Sequence, residues 1–218
     1  MLGDGHQLTL PMWNQDKSGI QENDKCSRGE EESDQEQSLE TLEIKCLKCS
    51  RCILREGRNK VVFGEGNPKA KVMFVGEGPG GEEDVQGKPF VGRAGQLLDK
   101  ILASVSLSRS EVYITNIVKC RPPKNRMPNS DEILACSSYL SAQIKMINPL
   151  IIVCLGSLAT RVLIDKNAKI TRMRGQWHEI NGILYMPTFH PAALLRDPSK
   201  KRPVWEDMKK VVEALKNS

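Results

Sequence analysis

The chain has 218 residues, a net charge of +5 and a mean hydropathy of −0.41. It holds no run near the roughly 20 apolar residues of a membrane span and no charged-then-apolar leader; the expectation is one cytoplasmic domain of common size without membrane association. The charge is uneven: residues 1–45 carry 4 Lys/Arg against 11 Asp/Glu and the rest 28 against 16, a basic body that points to a polyanionic partner, nucleic acid first.

Residues 1–38 show little periodicity. Glu30 to Gln37 (EEESDQEQ) is polar and acidic, and the segment is predicted to be a disordered tail in which Cys26 is a bystander. The domain is placed at residues 39–218. A short helix carrying Leu39, Leu42 and Ile44 leads into KCLKCSRC, where Cys46, Cys49 and Cys52 are spaced by three. Seven cysteines in a chain of this kind suggest metal or thiol chemistry before disulfides.

The run Lys71–Val75 (KVMFV) predicts a buried strand, and Ala94, Leu97, Leu98, Ile101, Leu102 and Val105 mark one face of a helix. Between them lies GEGPGGEEDVQGKPFVGRAG, Gly76 to Gly95, with six glycines from Gly76 to Gly92. Loops this long between a strand and a helix are usually functional. No GxxxxGK[ST] string occurs. Gly76, Gly78 and Gly81 fit GxGxxG, but Glu77, Glu82, Glu83 and Asp84 would repel a pyrophosphate. The loop is therefore expected to hold a ligand of another kind, beyond the carboxyl end of a strand.

Val112–Val118 predicts the next strand, followed by Cys120. Asn129 with Glu132 three residues on opens a helix by a capping-box pattern, its inward stripe Ile133, Cys136, Leu140, Ile144 and Ile147. Strands are predicted at Ile151–Leu155, with Cys154 as a core residue, and at Ile183–Phe189, with His190 at its end. Pro203 opens a last helix. Alternating strands and helices predict an α/β layered domain. A CxxC pair with two distant cysteines can hold zinc or an iron–sulfur centre; Cys120 and Cys136, 16 apart, do not form the second CxxC of a zinc ribbon, which leans toward a cluster.

The strings GEGPGGEED, GKPFVGRAG, YITNIVKCRPP and TFHPAALLR, in this order and with these cysteines, resemble the family 4 uracil-DNA glycosylases over roughly residues 42–216. The resemblance implies a three-layer α/β/α sandwich around a four-stranded parallel sheet. It also implies hydrolysis of the N-glycosidic bond of deoxyuridine in single- or double-stranded DNA, by a monomer that leaves an abasic site for base-excision repair. It implies a [4Fe–4S] cluster as well. Counting back from Gly64 in VVFGEG, as the family's register does, selects Cys49 and Cys52; Cys120 and Cys136 complete the ligands and Cys46 is surplus.

The same resemblance implies a uracil pocket of Gly76, Glu77, Gly78, the stacking ring Phe90, the amide Asn116 and the imidazole His190. A flipped base needs a fitted pocket. Asn116 offers both the donor and the acceptor that uracil requires, and His190 can stabilise the negative charge of the departing ring. Leu194 and Leu195 are expected as wedges in the duplex, one of them able instead to pack inward. Arg196, Lys200, Lys201 and Arg202 are expected to meet phosphates. Where family 1 relatives place an aspartate this chain has Gly78, which leaves Glu77 and Glu83 as carboxylates to orient water or steady the sugar cation. Glu83 is also suited to blocking the methyl of thymine. Two rivals are a relative that binds uracil-DNA covalently through a histidine inserted after the GRAG string, which this chain lacks, and a cluster-bearing DNA-binding protein without catalysis.

Overall fold

The computed structural model describes residues 38–217. The predicted acidic tail, apart from Ser38, lies outside the described residues, as does Cys26.

The first helix, α1 (Leu39–Leu47), is capped by Ser38, whose hydroxyl accepts the Thr41 N–H at 3.1 Å. The chain then forms α2 (Leu54–Gly57), β1 (Glu65–Gly66), β2 (Val72–Gly76), α3 (Gly81–Gln86), α4 (Arg93–Ala103) and β3 (Tyr113–Asn116). It continues through α5 (Ser130–Ile147), β4 (Ile151–Leu155), α6 (Ser157–Leu163), α7 (Ile170–Met173), β5 (His178–Ile180), β6 (Ile183–Thr188), α8 (Pro191–Arg196) and α9 (Lys201–Lys216).

The sheet order is β1-β3-β2-β4-β6-β5. The four inner strands are parallel, as expected. The outer two, β1 and β5, are antiparallel additions of two and three residues, too short to leave an alternation in the sequence. Both faces of the inner strands are covered, which is why they read as unbroken apolar runs. Along β2, Met73 and Val75 join the core beneath α1, α5 and α6, while Val72 and Phe74 join the core beneath α4, α8 and α9. The result is the predicted three-layer sandwich.

α5 begins as predicted: Glu132 Oε2 accepts the Asn129 N–H at 2.8 Å, and all five residues of the expected stripe are buried. Two details differ from expectation. The glycine-rich loop contains α3, and α9 starts at Lys201, so Pro203 sits inside its first turn, where a missing N–H is tolerated. Among the described residues no helix is long and apolar enough to cross a membrane.

Candidate active site

A cavity of about 680 Å³ opens at the carboxyl ends of the four parallel strands, where ligands of open α/β sheets bind. Each strand delivers a piece of it. Gly76 ends β2 and Asn116 ends β3, paired in register with one another; Gly156 follows β4, and His190 follows β6. Gly76 lies against two of the lining residues, Asn116 and Phe90. A Cβ there would collide with Asn116 Oδ1 and lie 2.6 Å from Phe90 Cζ, so only glycine lets the amide and the ring converge. Gly78 is as tightly placed: a Cβ on it would lie 2.8 Å from Val118 Cγ2.

Phe90 is buried with φ +52°, a conformation costly for a bulky side chain unless its surroundings impose it. They do so from three sides. Glu83 Oε1 accepts the N–H groups of Val91 and Gly92, both at 2.9 Å, and Oε2 accepts that of Gly80 at 3.1 Å. Arg109 donates to Pro89 O at 2.6 Å and Phe90 O at 3.0 Å, itself steadied by Asp99 at 3.0 Å. Gly95 leaves the space a side chain would take from the Phe90 carbonyl. The Glu83 carboxylate, read as a catalytic candidate, is thus engaged in holding the loop.

Asn116 is 1% exposed, and its Oδ1 is buried with no hydrogen-bond partner among the described residues. A buried acceptor left unpaired is costly and calls for an explanation; here it lines the cavity. The other such atom, His178 Nε2, does not. His190 caps α8, its Nδ1 accepting the Ala192 N–H at 3.1 Å, which places the proton of the neutral ring on Nε2. Burial, then Arg196, push its pKa down to about 4 against the opposing pull of Glu83. The imidazole is therefore an uncharged N–H donor at neutral pH. Its ring centroid is 5.5 Å from that of Phe90. Glu77 also lines the cavity and its side chain makes no hydrogen bond among the described residues; burial raises its pKa, with Arg161 opposing.

The two leucines separate. Leu194 is 1% exposed and packed in the core, whereas Leu195 is 42% exposed. The wedge reading is corrected for Leu194, because the turn of α8 points it into the layer beneath α9. Arg196 and Lys200 line the cavity mouth, Lys200 paired with Asp197 at 3.1 Å. Lys201 and Arg202 are exposed, Arg202 beside Glu206 at 3.3 Å.

On the side of the sheet covered by α1 and α5, Cys46, Cys49, Cys52, Cys120 and Cys136 line one small cavity with Arg51, Arg58 and Lys119. Arg58 donates to Cys120 Sγ at 3.2 Å. Burial pushes the Cys46 thiol up to about 12 and the Cys136 thiol to about 11; at Cys49 burial acts the same way but is outweighed by hydrogen bonds from Arg51 and Tyr139, so that thiol is lowered. Cys154 is buried in β4 apart from this group. No three His, Cys, Asp or Glu side chains among the described residues close on a single metal ion. The donor set, soft thiols ringed by cations, nonetheless suits an anionic thiolate-ligated centre.

Several residues that build these sites carry little or no signal in the sequence. Gly156 has φ +93°, and a side chain there would meet His190 Cβ at 2.9 Å; a glycine directly after a predicted strand was the available signal. Arg109 and Lys119 had none, since a single basic residue in the sequence does not show which oxygens will surround it.

Residues 63–216 match the family model described as the uracil DNA glycosylase superfamily. The chain is 48% identical over 187 residues to a type-4 uracil-DNA glycosylase of Saccharolobus solfataricus, covering 82% of this chain and 87% of that protein. It is 46% identical over 187 residues to a type-4 enzyme of Thermotoga maritima (83% and 96% covered) and 31% identical over 183 residues to a type-5 enzyme of Pyrobaculum aerophilum (69% and 80% covered).

Proposed function

Because the chain belongs to the uracil DNA glycosylase superfamily, we propose that it removes uracil from DNA by hydrolysing the N-glycosidic bond, as a monomer in the cytoplasm, and so starts base-excision repair. The observation that carries this reading is the unpaired Oδ1 of Asn116, buried beside the Phe90 ring at the cavity floor.

A base turned out of the helix stacks on Phe90. Asn116 Oδ1 accepts from uracil N3–H and its Nδ2 donates to O4; cytosine presents the reverse and leaves buried groups unpaired. Water attacks C1′ and passes its proton to Glu77, whose carboxylate is free where that of Glu83 is not. The C1′–N1 bond breaks, its electron pair goes to the ring, and the Nε2–H of His190 steadies the resulting charge at O2. Leu195 fills the gap in the duplex, and Arg196, Lys200, Lys201 and Arg202 meet the backbone phosphates. Incubation with an oligonucleotide bearing one uracil, then alkali, should cut the strand at that position; an intact strand would remove the proposal. Gly76→Ala should lower this excision by roughly 10²-fold through displacement of Phe90 and Asn116, read as single-turnover rate on the folded variant.

The proposal includes a [4Fe–4S] cluster held by Cys49, Cys52, Cys120 and Cys136. When bound, it would serve as an anionic cross-link between the end of α1, the segment after β3 and α5; the hydrolysis itself needs only the residues named above. The purified protein should contain about four irons per chain, Cys49→Ser should reduce that content, and Cys46→Ser should leave it unchanged. One zinc and no iron would refute the assignment.

A further inference from the structure

Lys119 lies between the two sites and is 1% exposed. Its Nζ donates to Thr115 Oγ1 at 2.5 Å, Gln143 Oε1 at 2.6 Å and the main-chain carbonyl of Asn116 at 2.8 Å. Gln143 in turn donates to Phe63 O at 3.0 Å and Tyr113 Oη at 3.2 Å, so the cage around the ammonium is braced from α5, β3 and the segment before β1. All three acceptors are neutral. No carboxylate pairs with Lys119 among the described residues, yet a buried charge without a countercharge is strongly unfavourable. What steadies the ammonium among the described residues is this cage of three oxygens, and Lys119 also lines the cysteine cavity.

We propose that Lys119 is a positioning residue for uracil recognition: held by Thr115, Gln143 and its own bond to the main chain, its ammonium fixes the carbonyl of Asn116 and thereby aims that residue's amide at the base. The inference rests on the uracil reading above. Asn116 is the last residue of β3 to pair with β2, whereas β1 pairs along β3 only at Tyr113 and Ile114, and Ile117 immediately follows with its N–H already committed to Gly76 O at 2.9 Å. Lys119 thus completes the hydrogen bonding of the one peptide unit on which the amide's direction depends. A spacer that merely filled the core would not need three oxygens around its tip.

The test compares the wild type with Lys119→Met and Lys119→Gln, each checked for iron content and for folding by circular dichroism. Three quantities are measured: inhibition by free uracil, affinity for DNA bearing an abasic site, and single-turnover excision. In Lys119→Met, free-uracil affinity and excision should each fall about tenfold or more, while abasic-site affinity stays within about twofold. Lys119→Gln, which keeps a donor toward Asn116 O, should recover part of the loss. Unchanged uracil affinity in folded Lys119→Met, or a parallel loss of abasic-site affinity, would overturn the proposal. Should Lys119→Met fail to fold, Thr115→Val removes one acceptor of the cage and should weaken uracil binding about threefold or more; no weakening would equally overturn it. A wild type that leaves uracil in place would sink the functional reading instead, which separates the two failures.

Discussion

His190→Ala should slow single-turnover release of uracil by roughly 10²–10³-fold while DNA affinity, measured at fixed salt, stays nearly intact. The reason is that the imidazole meets a charge that exists only as the bond breaks. The tautomer is set by the Ala192 N–H on Nδ1, and the ring, with its pKa pushed down to about 4 by burial and then Arg196, is neutral throughout the physiological range. The pH profile follows. A histidine titrating at its usual value would give a limb near pH 6.5; here none is expected there. The acid limb should belong to Glu77, whose pKa burial raises above the ordinary carboxylate value against the pull of Arg161 and which must be ionised to accept the proton of water, so it should survive in His190→Ala and vanish in Glu77→Gln. The linkage to stability has the same sign. With a folded pKa below the unfolded one, the contribution of neutral His190 is present above about pH 6.5 and is lost as pH falls through about 4. Lost DNA binding with an unchanged single-turnover rate would make His190 a docking residue and refute this role.

Asn116→Asp should be nearly as damaging, for a different reason. A carboxylate accepts hydrogen bonds and donates none, so it opposes uracil O4 while suiting the N4 amine of cytosine. Its charge would also enter a site where the present side chain is 1% exposed. Uracil excision should fall by about 10³-fold or more, since discrimination by a buried polar edge is of this order and larger, and a trace of cytosine release should appear. Parallel single-turnover assays on uracil, thymine and cytosine oligonucleotides decide it. A variant that kept its uracil rate would show that Asn116 does not read the base.

What could be read from the sequence tracks the physics of each element. β2, β4 and β6 stood out because strands buried on both faces are unbroken apolar runs, and α4 and α5 because one face repeats at helical spacing. α3 was hidden: GEEDVQ has no apolar stripe, and the helix is secured by the tie of Glu83 to Gly80. Phe90, Asn116 and His190 were reached through resemblance to a family, since nothing local says that three residues so far apart converge. Leu194 and Leu195 show the limit most plainly. They are neighbours of identical chemistry, and only the orientation of α8 decides that one is core and the other surface. Arg109 and Lys119 were invisible because a charged residue beside apolar strands reads as solvated until its acceptors, among them Phe90 O and Gln143 Oε1, are seen around it.

The sheet order has a consequence for how activity is acquired. The cavity is closed by β2, β3, β4 and β6 together, and the residues at its wall run from Glu77 to Lys200. Parallel neighbours cannot pair through a hairpin, so each pairing closes a long stretch of chain and is intrinsically slow. The lining is divided between residues 77–127 and residues 155–200, so neither part alone makes the pocket. During refolding, helix content should rise well before the ability to bind free uracil, and catalytic competence should appear with the last strand to dock rather than in proportion to structure formed. Activity in this architecture is a property of the completed sheet.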